Sequence, residues 1–285
     1  MSTRISVITA TYNCVNELPG CLESMARQTH AKREHIVIDG ASSDGTLGLL
    51  QRHSAQFSTL ISEPDGGIYD ALNKGVAQAQ GDVIGFLHGD DAFANDQVLA
   101  RVSAAFDDPR VSMVYGDLQY VRRQQTDEVV RHWAAGPFVP SQLRAGWMPP
   151  HPTVYLRREV YERLGNFDTQ YRIAADYDHM LRVFGDSSLH CAYLPEVLIH
   201  MRTGGISNRS LGSVLRKSAE DLHILRHHQL GGLASLLMKN LRKIKQLRPG
   251  QLLQRSARRL MPRLPAPTPD VTIARPLANE SSRKS

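Results

Sequence analysis

The sequence predicts an α/β protein: a mainly parallel sheet flanked by helices, a smaller second part, and a basic helical tail. Three observations predict it. Over the first 115 residues, short uninterrupted apolar runs rich in β-branched residues alternate with stretches of helical period. Polar, small and acidic residues gather directly after each run, where an open parallel sheet binds its ligands. Charge is divided along the chain. Residues 239–285 hold 12 Lys/Arg and 2 Asp/Glu, a net of +10, whereas the other 238 residues carry a net of −4.

The elements follow in order. Residues 4–10 (RISVITA) read as a buried strand. Residues 15–28 place Leu18, Leu22 and Met25 at helical spacing. Residues 34–39 (EHIVID) form a second strand and 44–52 a second helix. A short strand at 60–61 precedes a helix over 68–79, and 82–87 (DVIGFL) is another buried strand. A helix over 97–106 and a strand over 112–115 continue the alternation. Repeated β-α-β units of this kind imply parallel pairing with helices on both faces. After Gly116, residues 118–123 and 128–133 read as paired strands. Residues 136–152 hold five prolines and two glycines and read as a loop. Helices follow over 158–164, 176–184 and 211–228, with a strand near 197–201. Residues 231–264 are basic and helical in period, broken at Pro249-Gly250, and 265–285 read as a disordered Pro/Ser-rich tail.

Composition narrows the function classes. With 285 residues, 41% hydrophobic and 22% charged, the chain is globular as a whole. The basic excess belongs to the tail, so a nucleic-acid-binding surface is not expected. Three cysteines without a C-x-x-C pair fit a reducing interior. No run reaches the ~20 apolar residues of a membrane span and no signal-peptide pattern opens the chain, so a cytoplasmic location is expected. No Gly-x-x-x-x-Gly-Lys loop and no Gly-x-Gly-x-x-Gly follows a strand, which leaves a P-loop NTPase and a dinucleotide oxidoreductase unsupported.

The chemistry-bearing candidates lie after the strands: TATYN after the first, IDGASSDGT at the second, SEPDGGIYDALNKG after the third and HGDD after the fourth. Adjacent carboxylates at the end of an apolar strand repel each other unless a cation neutralises them, and all-oxygen ligation suits Mg²⁺ or Mn²⁺. The plainer alternative is that Asp90 or Asp91 caps a turn.

Together these blocks, with RIAADYDHMLR farther on, resemble the family 2 glycosyltransferases of GT-A fold over about residues 4–207, and among them bacterial enzymes of surface-polysaccharide and glycolipid assembly. The resemblance implies donor-binding roles: Thr9 and Tyr12 around a nucleotide base, Asp39 on a uracil-type imide, Asp65 beside the nucleotide, and Lys74 and Arg202 near the diphosphate. It makes Asp90 the final carboxylate of the metal-binding Asp-x-Asp motif. His88 stands where the motif's first Asp would be, and His88, Asp91 and His200 are further metal candidates. It makes Asp176 the general base of an inverting transfer, with Asp178 structural and paired to Arg182. The competing reading of Asp176 is a helix N-cap. Residues 1–115 are then the nucleotide-sugar half and 116–228 the acceptor half of one domain, followed by basic amphipathic helices (229–264) and the tail (265–285).

The expected function is transfer of a sugar from a nucleotide-diphosphate donor, UDP-linked by preference and GDP-linked as the alternative, to a hydroxyl of a glycan or lipid-linked acceptor. Its rivals are a sugar-nucleotidyltransferase, which would need a Gly-rich basic loop after the first strand, and a non-catalytic sugar-nucleotide-binding scaffold. In the tail, Leu236, Leu237, Asn240, Leu241, Ile244 and Leu247 share one helical face, and Lys239, Arg242, Lys243 and Lys245 spread over the other. That pattern predicts an interfacial helix on the anionic inner face of a membrane. A helix packed on the domain with a solvated basic side is the alternative.

Overall fold

The computed structural model describes residues 3–204, 211–245 and 272–273. Strands β1 (Ile5–Thr11), β2 (Arg33–Asp39), β3 (Thr59–Ser62) and β4 (Val83–Phe86) form a parallel half-sheet in the order β4-β1-β2-β3. These strands read as continuous apolar runs because both faces are covered. Ile8, Ile36, Ile38 and Ile84 pack on one side, and Ile5, Val7, Val37 and Val83 on the other. Helices α1 (Leu18–Ala26), α2 (Thr46–Arg52) and α3 (Ile68–Gln78) connect the strands, and α4 (Val98–Ala105) follows a short β5 (Ala92–Phe93).

Helix α3 lies unusually close to β1. A side-chain carbon on Gly75 would sit 2.3 Å from Ile8 Cγ2, so only glycine allows the helix to rest there.

Beyond α4 the sheet becomes mixed. β6 (Val111–Val121) is one strand where the sequence suggests two, because a register shift around Gly116 and Asp117 lets pairing resume after the irregularity. β7 (Val129–Trp133) pairs antiparallel with β6, as its alternation predicts. β8 (Tyr155–Arg157) inserts antiparallel between β4 and β6, and three residues are too few to carry a readable period. β9 (His190–Arg202) runs parallel to β6 and is edged by β5 and by β10 (Thr272–Ile273). The expected division at 115/116 therefore falls inside β6, and both halves contribute strands to one sheet. α5 (Arg158–Leu164), α6 (Ala175–Gly185) and α7 (Leu211–His227) complete the later part of the chain around this mixed half of the sheet.

α8 (Leu233–Lys245) departs from the expected orientation. Its Lys239 is buried, whereas Leu237 and Leu241 are exposed. Leu236 packs against the core. Of the expected tail helices, residues 246–264 lie outside the described residues, as does 265–285 apart from β10. No helix among the described residues is long and apolar enough to cross a membrane.

Candidate active site

The carboxyl ends of β1 and β2 are locked to each other by their own polar side chains. Asn13 and Ala41 both adopt left-handed backbone (φ 47° and 58°), which turns the chain sharply off each strand. The Asn13 N–H donates to Ser42 Oγ, and the Ser43 N–H donates to Asn13 Oδ1, both at 2.9 Å. Asp39 is fully buried and accepts from Thr11 Oγ1, from the Ser42 N–H and hydroxyl, and from Ser62 Oγ. Both its oxygens are engaged, and Asp39 ties the ends of β1, β2 and β3 into one wall. Thr9 is likewise fully buried, with its hydroxyl 2.8 Å from the His35 ring. Tyr12 is 60% exposed, and its ring converges with Asp65 over Gly40, where an added Cβ would stand 2.5 Å from Asp65 Oδ2 and 3.3 Å from Tyr12 Cδ2. A glycine at residue 40 is what lets a carboxylate and an aromatic ring meet at the strand ends.

At the end of β4, Asp90 is half-buried, and its carboxylate makes no hydrogen bond or ion pair among the described residues. Asp91 is buried. Its Oδ1 accepts the Arg202 N–H at 3.3 Å and its Oδ2 has no partner. Burial, with the Asp90 charge adding to it, pushes the Asp91 carboxyl well above the usual range. Burial lowers the His88 imidazole despite Asp90 and Asp176 nearby, and its Nδ1 is also unpartnered.

His200 sits on β9 in register with Ala92, one residue beyond Asp91. No three His, Cys, Asp or Glu side chains converge to hold a metal among the described residues, so Asp90, His88, Asp91 and His200 do not form a closed cage. The unpartnered Asp90 carboxylate instead fits a hard cation whose other ligands come from phosphate oxygens and water.

The two expected diphosphate contacts, Arg202 and Lys74, both engage neighbouring groups of the chain. Arg202 donates from Nη1 to the carbonyls of Glu17 (3.1 Å) and Asp90 (2.9 Å), clamping the β4 loop to the start of α1. Lys74 pairs with Glu63 at 2.7 Å and Asp70 at 3.5 Å and donates to the Pro64 carbonyl. It braces the loop that carries Asp65.

The third wall is the start of α6. Asp176 Oδ1 accepts from the Tyr69 hydroxyl (3.0 Å) and the Tyr177 N–H (2.9 Å). Asp176 is not the N-cap, which is Ala174. The free N–H groups of residues 172–174 are satisfied by the Glu220 carboxylate reaching across from α7. Burial raises the Asp176 carboxyl, but Lys217, His151, Lys239 and the Tyr69 hydroxyl together outweigh it and hold the group below the usual range. It is an ionised carboxylate at neutral pH.

Asp178, two residues on, pairs with Arg182 (3.0 Å) as the spacing predicts, and also with His228 (2.8 Å), a residue the sequence suggests is on the surface. Underneath, the His151 ring stacks on Phe86 at 5.2 Å and lies 6.3 Å from that of His88, and burial lowers His151 to about 4.

Sequence reasoning missed the brace that joins the two halves. Tyr69 also donates to the Ile173 carbonyl (2.8 Å), and Asn73 exchanges two hydrogen bonds with the Phe167 backbone (2.9 and 3.0 Å). Their i, i+4 spacing on α3 was the available signal.

Known proteins are similar to this chain in sequence and in fold. Residues 6–176, more than half the chain, match the family described as glycosyl transferase family 2. A PGL/p-HBAD biosynthesis glycosyltransferase of Mycobacterium bovis is 32% identical over 208 residues, covering 71% of this chain and 78% of its own. An uncharacterized glycosyltransferase of Mycobacterium tuberculosis is 35% identical over 241 residues, covering 80% and 86%. In fold, the chain is similar to S. aureus TarS 1-349 solved with UDP-GlcNAc (TM-score 0.62, 18% identity, 79% of this chain and 65% of that one). It is also similar to the mannosyltransferase PcManGT of Pyrobaculum calidifontis, solved with GDP-Man and Mn²⁺ (TM-score 0.60, 20% identity, 91% and 79%). Fold and relatives define a glycosyltransferase with a GT-A-like architecture. The chain belongs to glycosyl transferase family 2.

Proposed function

We propose that the protein is an inverting glycosyltransferase that moves a sugar from a nucleotide-diphosphate donor to the hydroxyl of a glycan or lipid-linked acceptor. The observation that carries this reading is the ionised Asp176 carboxylate, held through one oxygen by Tyr69 and the Tyr177 N–H at a wall built by α3 and α6. Its second oxygen makes no hydrogen bond among the described residues. It takes the proton of the acceptor hydroxyl as that oxygen bonds to C1 of the sugar. In the same step the C1–oxygen bond to the diphosphate breaks on the opposite face, and its electron pair leaves with the nucleotide.

Tyr12 and Asp65 bind the nucleoside, with Asp39 fixing the loops that carry them. Asp90 would hold Mg²⁺ or Mn²⁺, and the ion's charge would stabilise the leaving diphosphate. The UDP-GlcNAc of TarS supports a UDP-sugar, and the GDP-Man and Mn²⁺ of PcManGT keep a GDP-sugar open and support the metal. The mycobacterial relative is named for PGL/p-HBAD biosynthesis, and that name supports a biosynthetic role in making a cell-envelope glycolipid or polysaccharide.

A panel of UDP-, GDP- and dTDP-sugars, screened by thermal stabilisation with Mn²⁺ and with chelator, tests the reading. One donor class should raise Tm only with metal, and Asp90→Asn should abolish that gain. Equal turnover with metal and with excess chelator would overturn the metal part. No stabilisation by any sugar nucleotide would overturn the whole.

A further inference from the structure

α8 is oriented the wrong way round for an ordinary surface helix. Its inner side carries Lys239, only 5% exposed, whose ammonium lies 2.7 Å from Asp221 of α7 and 3.0 Å from the centre of the Tyr177 ring of α6. Its outer side carries Leu233, Leu237, Met238 and Leu241, between 48% and 68% exposed and spaced i, i+4, i+5, i+8. A helix that served only to cover the domain would bury its leucines and leave its lysine in water. We propose that this outer face of α8 is the surface by which the enzyme lies on an anionic lipid leaflet.

Charge complementarity selects that occupant. Arg242, Lys243 and Lys245 follow the apolar stripe on the same helix, and the sequence beyond Lys239 carries a net of +9. A cationic segment beside exposed leucines matches a surface of acidic headgroups over acyl chains. A second copy of the chain would bring the same positive charge to the contact.

The buried pair gives the docked helix a mechanical connection to the reaction centre. Lys239 is held to Tyr177, the residue after Asp176, and its stem lies against Gly146 in the proline-rich segment. Docking would thereby set the 136–152 segment and the start of α6 at the leaflet, where a lipid-linked acceptor arrives. Only this last step rests on the transfer reading.

The test compares full-length wild type with Leu237→Ser/Leu241→Ser for binding to phosphatidylcholine vesicles containing roughly one-third phosphatidylglycerol. Sedimentation at ~0.5 M salt suppresses the contribution of the charges and isolates that of the leucines. The double variant should bind about a hundredfold more weakly there, as expected for two buried leucine side chains withdrawn from the lipid. Its Tm should be unchanged, because neither side chain packs on the domain. Equal binding by the two proteins would overturn the proposal.

A solvatochromic dye on Leu237→Cys in the full chain supplies the second readout. Its emission should report water in solution and shift on adding these vesicles. An emission already apolar in solution and unmoved by vesicles would mean that another part of the chain or a second copy covers the face, and would also overturn it. Stabilisation by UDP is measured on the same proteins. Its loss in every one of them would count against the transfer reading and leave the vesicle result standing.

Discussion

Asp176 and Asp178 are two residues apart on one helix, yet their surroundings differ. Asp178 spends one oxygen on Arg182 and the other on His228, so it has none to offer a substrate. Asp176 leaves one oxygen without a hydrogen bond among the described residues, and Ala174 rather than Asp176 occupies the N-cap. Asp176→Asn should therefore lower turnover by about 10²–10⁴, the usual worth of a general base, with donor affinity nearly unchanged. Asp178→Asn should instead lower Tm and keep turnover at temperatures where the fold persists. A large loss of turnover from Asp178→Asn alone, measured on folded protein, would reverse the assignment. Both carboxylates are legible in the sequence as a pair. The resemblance already chooses Asp176 between them, but the contacts that set them apart, from Tyr69, His228 and Glu220, lie more than forty residues away and carry no local signal.

Among the elements, α3 does more than cross over between strands. Its first turns bind the Asp65 loop through Lys74, hold Asp176 through Tyr69, and pin the Phe167 backbone through Asn73. Gly75 sets how deep the helix lies, because Ile8 occupies the space a side chain would need. Gly75→Ala should push α3 away from β1 at a cost of about 1–3 kcal/mol, the range for overpacking a filled core. Turnover should fall by more than the loss of folded protein explains, because Tyr69 and Asn73 move with the helix. Denaturant unfolding and kcat on the folded fraction check the two parts. An unchanged kcat would mean that the brace is dispensable. The helix itself was legible from its period, and so were the flanking strands. The three-residue β8 and the inward lysine of α8 were not: a strand that short has no period, and amphipathic pattern alone does not say which face of a helix meets protein.

At the scale of the molecule, the fold buries histidines in neutral form, and this makes its stability depend on pH in a definite direction. Burial lowers His35 to about 3, His151 to about 4 and His179 to about 3, from an ordinary value of 6.5. In the unfolded chain all three take up protons as pH falls through 6.5, whereas in the folded protein they stay neutral until pH 3–4. Their contribution is therefore complete above pH 6.5 and is lost progressively from there down to about pH 3–4. Each such proton steepens the fall by about 1.4 kcal/mol per pH unit, so three together can exhaust a typical stability of ~5–15 kcal/mol within that window. Asp176 and Asp178, both held below the usual carboxylate range, lose their contribution in the same direction but only at lower pH. His179 offers the cleanest test, because its ring lies between Tyr161 (5.1 Å) and Phe167 (4.7 Å), where another aromatic ring can stack. His179→Phe should leave stability near pH 8 close to wild type and reduce the slope between pH 6 and 4.5 by about one proton in three. Urea unfolding across that range measures the slope, and an unchanged slope in the variant would show that His179 titrates in the folded protein as it does in the unfolded chain.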